Sequence, residues 1–289
     1  MRVLFAASLA LLASGCAAPS FVGQTGRTTP KGSVRFGAGS GYQLSTQAAN
    51  VVKDGRDAAQ TLRSRSSTCP GGSGQCWSQA DVEPVVDAAF RFAVLAPISS
   101  HTEISGRYGL ADGFDVGLHW GPDSRAIDAG FQVFGPVDPA ADGWAGTVLA
   151  GYGQRSLGTL GDVIENVFQG DASLQDWQAT FVAGRQWSQM VHAYVGGRYV
   201  LTHWKLQVIP DLPIVFDGGE MQKALLGTDS SGNVHQLSAV FGGAVGYKHL
   251  FVGAELNLVQ TFGSAEVLFR QRDLAGFGVM PAVYVYGQY

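Results

Sequence analysis

Four of the histidines pose the first chemical question. His101 and His119 frame the stretch HTEISGRYGLADGFDVGLHW, which also carries Glu103, and Asp123 and Asp128 follow shortly after. His203 and His235 lie further along the chain. A histidine beside a carboxylate can serve as a general base. His101, His119, His203, His235 and Asp128 are therefore the candidate catalytic residues. Nothing else in the chain completes such a site. There is no GxSxG, no HExxH and no EF-hand loop. GAGSGY at 37–42 places Tyr42 where a dinucleotide loop has its last glycine, and no helix follows. In GRTTPKG at 26–32 Lys31 precedes the glycine, the reverse of a phosphate loop. Cys69 and Cys76, in CPGGSGQC, lack the CxxC spacing of a zinc site. The expectation is no enzyme, no metal and no cofactor, with a histidine–carboxylate hydrolase kept as the alternative.

The elements that carry these residues alternate with a period of two. In residues 101–120, Ile104, Gly106, Tyr108 and Leu110 share one parity, and Glu103, Ser105, Arg107 and Gly109 share the other. Beyond the turn at Ala111, Asp112 and Gly113, Phe114, Val116, Leu118 and Trp120 alternate with Asp115, Gly117 and His119. Such a period means β-strand. Similar runs recur at 33–44, 127–133, 144–155, 177–187, 191–205, 236–247, 250–261 and 278–289. In a soluble protein the apolar face would be the core. In a membrane barrel the apolar face meets lipid and the charges line the lumen. Inward parity then gathers Arg35, Glu103, Arg107, Asp115, Asp128, Arg198 and Glu255. These charges are expected either to pair into a structural plug or to line a small polar conduit, because an unpaired buried charge is costly.

Composition favours the barrel. The 289 residues include 40 glycines, about twice the usual ~7%. Charged residues make up 15%, against roughly 25% in soluble domains. A narrow lumen has little room, so small residues are needed between the long ones. A net charge of −4 offers no basic face for nucleic acid. No apolar run after residue 16 approaches the ~20 residues of a membrane helix.

The chain opens MRVLFAASLALLASGC, with a cationic Arg2, a short apolar run and small residues before Cys16. This reads as an export signal over residues 1–15. The small residues before Cys16 resemble the lipobox of bacterial lipoproteins, which implies lipidation of Cys16 and a lipidated tether over 16–31. Cleavage a few residues later, without lipid, is the other reading. In an oxidising compartment Cys69 and Cys76 are expected to form a disulfide. The chain ends within a strand, PAVYVYGQY. This resembles the C-terminal strand of outer-membrane barrels, which implies recognition by the barrel assembly machinery.

Over residues 32–289 the pattern resembles outer-membrane β-barrel proteins, in particular uncharacterised lipoproteins built on such a barrel. The resemblance implies an all-β, closed antiparallel transmembrane barrel facing outer-membrane lipid. Residues 84–98 and 264–272 decide between ten strands and twelve. With ten, the short connections 111–113, 136–143, 188–190 and 248–249 alternate with the long ones 45–100, 156–176, 206–235 and 262–277. Bacterial barrels have short periplasmic turns and longer external loops. Ten strands are therefore expected, with 45–100 the longest external loop and the four histidines near the external rim, where the omptin barrel proteases use His and Asp. The expected role is envelope structure or narrow passage of small solutes. A rim enzyme, or a soluble lipid-anchored β-protein binding an apolar ligand, are the alternatives. Oligomeric state is not legible.

Overall fold

The computed structural model describes residues 23, 25–46, 53–54, 56–57, 60–61, 98–122, 124–138, 140–156, 172–207, 229–267 and 270–289. Its strands are β1 (Val34–Ser45), β2 (Ile98–Ala111), β3 (Phe114–Trp120), β4 (Ser124–Phe134), β5 (Gly143–Ser156), β6 (Ala172–Trp187), β7 (Val191–Gln207), β8 (Asp229–Tyr247), β9 (Leu250–Val267), β10 (Arg270–Asp273) and β11 (Gly276–Gln288). Each strand from β1 to β9 pairs antiparallel with the next. β9 also pairs with β11, and β11 pairs with β1 from Arg35↔Gln288 to Ser45↔Gly278. The ring is thereby closed with ten strands. β10 folds back on the far end of β9 and stays outside it. Residues 264–272 thus extend a connection as a hairpin, and the twelve-strand count falls. Residues 84–97, like most of the 45–100 connection, lie outside the described residues.

The connections sort to two ends. Turns at 112–113, 135–142, 188–190 and 248–249 share one end with Val34 and Tyr289. Left-handed backbone at Gly113, Ser188, Gln189 and Lys248 makes three of these turns tight. The other end carries the longer connections. One departs from the expected alternation: β3 ends at Trp120 and β4 begins at Ser124, with Gly121 N donating to Ser124 O at 2.8 Å.

The two faces divide as the parity requires. Phe36, Ile104, Leu118, Phe131, Trp177, Val195, Phe241, Val252 and Val283 are exposed on the outer surface, Leu118 at 65% and Val283 at 61%. Inside, Glu103, Arg107, Asp115, Thr147, Val182, Arg198, Val240 and Glu255 are buried. On β6 the outward Trp177 and Trp187 stand ten residues apart. At about 3.3 Å per residue and a tilt of ~40° they are separated vertically by about 25 Å, the height of a lipid-facing band between aromatic girdles.

The segment before β1 differs from expectation. Within the tether expected over 16–31, Thr25, Arg27, Thr28 and Thr29 are buried inside the barrel mouth. The reason lies in the backbone. A chain inside a barrel needs partners for its N–H and C=O groups, and strand side chains supply them here. Thr147 Oγ1 donates to Gly26 O at 2.8 Å, and Gln132 Oε1 accepts from Thr28 N at 3.3 Å. Arg27 donates to Asp138 O at 2.9 Å and Ala141 O at 2.6 Å, tying the segment to the β4–β5 connection.

Candidate functional site

The polar half of the lumen is built by β2, β3 and β4. Their registers set three rows across the inner face: Ser105, His119 and Ala126; Arg107, Gly117 and Asp128; Gly109, Asp115 and Gly130. Large and small residues alternate along and between rows, so each long side chain lies over a gap. A Cβ at Gly117 would stand 2.5 Å from Arg107 Nη1, and one at Gly130 would collide with Asp115 Oδ1. This is the packing use of the glycines on the charged face.

The side chains form one connected network. Arg107 Nη2 donates to Asp115 Oδ1 at 2.6 Å and Arg107 Nε to Asp115 Oδ2 at 3.2 Å. Arg107 Nη1 donates to Asp128 Oδ1 at 2.6 Å. His119 Nε2 lies 2.6 Å from Asp128 Oδ2, and His119 Nδ1 lies 2.6 Å from Glu103 Oε1. His101 Nε2 meets Glu103 Oε2 at 3.0 Å. At the other end, Thr29 N donates to Asp115 Oδ2 at 2.7 Å. The network thus runs from near the long-loop end down to the N-terminal segment. Because both ring nitrogens of His119 face carboxylate oxygens, both donate and the ring is an imidazolium. Neither nitrogen is left to accept a proton, which removes His119 as a general base in this arrangement.

The other half of the lumen is aromatic and apolar. Leu149, Val182, Tyr194, Val240, Phe251, Tyr284 and Tyr286 form one buried cluster. Tyr194 OH donates to Glu255 Oε2 at 2.7 Å and lies 3.0 Å from Tyr284 OH. Gly23 N also donates to Glu255 Oε2, at 3.0 Å. Near the short-turn end Phe251 stacks on Tyr286 at 4.9 Å between centroids, and His192 lies 4.8 Å from Phe251. Nearer the long-loop end Asp176 accepts from Arg155 Nη2 at 2.9 Å and from Thr202 Oγ1 at 2.6 Å. A cavity of about 20 Å³ remains beside Gly23, Arg35, Glu103, Arg107, His119 and Tyr284, room for about one water molecule.

All seven residues expected in the lumen are buried there. Glu103, Arg107, Asp115 and Asp128 share the network described, and Glu255 belongs to the tyrosine cluster. Arg35 reaches Gln288 Oε1 at 3.1 Å and lies over the Tyr286 ring, and Arg198 is buried on β7. The histidines do not form one rim cluster. Only His101 and His119 come together. His203 and His235 have the outward parity of Val195, Tyr199 and Phe241. His235 Nδ1 meets Tyr199 OH at 2.7 Å and stacks on Phe262, while His203 pairs with Asn233. The four share a height along the barrel, but side-chain parity separates them. Sequence reading missed the roles of Tyr194, Tyr284, Tyr286, Arg155 and Asp176, although their parity was available. Cys16, Cys69 and Cys76 lie outside the described residues. Among the described residues no group of three or more His, Cys, Asp and Glu side chains is placed to hold a metal ion.

No family model matches this chain, and no curated protein matches it. Among solved structures it is similar to Ail, the attachment invasion locus protein of Yersinia pestis, at 8% identity and a TM-score of 0.34, over 90% of this chain and 99% of that one. It is also similar to Neisserial surface protein A, at 10% identity and a TM-score of 0.31, over 89% of this chain and 96% of that one. Scores this low assign the chain to no family. The closed ten-stranded antiparallel barrel rests on its own strand pairing.

Proposed function

We propose that this chain is a non-enzymatic outer-membrane β-barrel with a closed lumen, serving a structural role in the bacterial envelope and anchored additionally by lipid on Cys16. The observation that carries the reading is the inversion of its faces: large apolar side chains are exposed outside while charged ones are buried inside. Only lipid makes that arrangement favourable, and only a closed ring can satisfy every strand backbone there. The short-turn end faces the periplasm in this reading, the long connections face outward, and the β11 strand is the handle for the barrel assembly machinery.

The filled lumen argues against solute passage, because Arg107, His119 and Glu255 are paired across the interior. The double pairing of His119 argues against a rim hydrolase. The exposed apolar belt argues against a soluble ligand-binding barrel. The test is reconstitution of the full chain. Folded protein should migrate faster on unheated gels than after boiling, leave outer membranes only with detergent, and give no stepwise conductance in planar bilayers. Free solubility without detergent would sink the membrane assignment, and steady ohmic steps would sink the closed lumen.

A further inference from the structure

Arg35 and Arg107 stand directly opposite each other on the inner face of the β1–β2 ladder. Like charges so placed repel, and the two are answered differently. Arg107 is held between Asp115 and Asp128. Arg35 touches no carboxylate among the described residues. Its Nη2 donates to the neutral Gln288 Oε1 at 3.1 Å. Its Nε and Nη1 are buried without a hydrogen-bond partner among the described residues. The guanidinium lies 5.6 Å from the centre of the Tyr286 ring, which offers a π face but no anion. The residue is only 6% exposed. A buried cation with unmatched donors is costly unless an acceptor reaches it.

Two residues further along β1 the inner face leaves a gap. Gly37 sits there, in register with Ser105 on one side and Tyr286 on the other. A Cβ on Gly37 would stand 3.0 Å from Ser105 Oγ. The cavity of about 20 Å³ lies at this point, with Arg35, Ser105, Arg107, His119 and Glu103 in its lining. Three cationic groups thus border it, against one carboxylate. Glu103 turns that carboxylate elsewhere: Oε1 lies 2.6 Å from His119 Nδ1, and Oε2 lies 3.0 Å from His101 Nε2. Arginine and doubly protonated histidine donate only, and the Ser105 hydroxyl adds a further donor. A water molecule here needs acceptors for its own two protons. A halide needs none, and it matches the sign of the lining.

We infer that this cavity is a binding site for one halide ion, chloride in particular, held by the Nε and Nη1 of Arg35 and the hydroxyl of Ser105. Size restricts the class. A volume of about 20 Å³ admits a single particle close to a water molecule in size, which leaves out sulfate, phosphate and organic anions. The ion gives Arg35 the charged partner that Asp115 and Asp128 give Arg107. It also separates the two guanidinium groups electrostatically where β1 meets β2. One such site is no conduit, so the closed lumen is unaffected. The site stands whichever end of the barrel faces the periplasm.

The test unfolds the full chain, folded in detergent, with urea in sodium chloride and in sodium gluconate at equal concentration and pH, so that screening is the same in both. The midpoint should rise with chloride and level off. At ten times the dissociation constant the folded-to-unfolded ratio should be about tenfold higher than in gluconate. Arg35→Gln should lose this dependence. Arg185→Gln, which removes an exposed cation on the outer face of β6, should keep it. Equal midpoints in the two salts at every concentration overturn the inference. So does a chloride effect kept in full by Arg35→Gln, which would be a general salt effect. Should Arg35→Gln fail to fold, crystals of the unaltered chain grown in bromide decide. Anomalous scattering from bromide in contact with Arg35 and Ser105 supports the site, and its absence there overturns it.

Discussion

The Thr29 amide donates to Asp115 Oδ2 at 2.7 Å, on a carboxylate that Arg107 also grips through two nitrogens. One side chain therefore joins the strand network to the N-terminal segment. Replacing Asp115 by Ala leaves Arg107 with one strong partner fewer and the Thr29 amide unmatched. A loss of about 3–5 kcal/mol is expected, the usual cost of breaking a buried ion pair, measured by urea unfolding in liposomes. Asp115→Asn keeps an acceptor for Thr29, so hydrogen exchange at that amide should stay slow in Asn and become fast in Ala. Fast exchange in both would separate the segment from the carboxylate.

Gly130 and Gly117 leave the space that Asp115 and Arg107 fill. Gly130→Ala should cost about 1–3 kcal/mol, the range for overpacking, although alanine suits a strand no worse than glycine. Gly197→Ala is the contrast, because a Cβ there meets nothing nearer than Ser238 O at 3.9 Å. Equal stability of the two variants, compared in the same unfolding assay, would contradict the account of the glycine checkerboard.

The outer face should respond to charge according to depth. Phe241 sits six residues above the Tyr247 end of β8 and points outward. Phe241→Arg is expected to cost about 2–4 kcal/mol in a bilayer, and Tyr247→Arg, at the rim, about 0–1 kcal/mol. Unfolding free energies in liposomes check the gradient. A reversed order would mean that the exposed belt does not meet lipid.

Arg27 fastens the segment to the β4–β5 connection through the carbonyls of Asp138 and Ala141. Arg27→Ala should lose roughly 1.5–3 kcal/mol, the scale of charge-assisted hydrogen bonds. The connection should also become open to protease in detergent-solubilised protein, seen as new cleavage within residues 135–142. Unchanged resistance there would show that the turn stands without the segment.

Much of the barrel was legible because parity is read directly from side chains. Glu103 and Ile104, or Asp115 and Val116, announce opposite faces without any knowledge of partners. The inward charges followed from the same rule. Applied to His203 and His235 it would have turned them outward, since Arg198 and Gln236 fix the inward parity of their strands. The buried segment was not legible. TGRTTPK has no period and little apolar surface, and it is held through its own backbone by Asp115, Gln132 and Thr147. Those partners are up to 121 residues away in the chain. The short connection between Trp120 and Ser124 was not legible, because the alternation of residues 121–126 is too weak to mark where β4 begins.

The seam between β1 and β11 carries a consequence for the order of assembly. β1 is the first strand made and β11 the last, so their pairing is the final join of the ring. Residues 25–29 lie shortly before β1 and end up enclosed by strands made after them. They settle most readily while the seam is open, as contents laid in a sleeve before it is sewn. Once Arg35 has met Gln288, the same residues would have to be fed end-first through a mouth already floored by Tyr286. A shortened or slow β11 should therefore yield barrels that close late yet hold their segment, whereas a segment delayed past closure leaves Asp115 and Glu255 without its N–H groups.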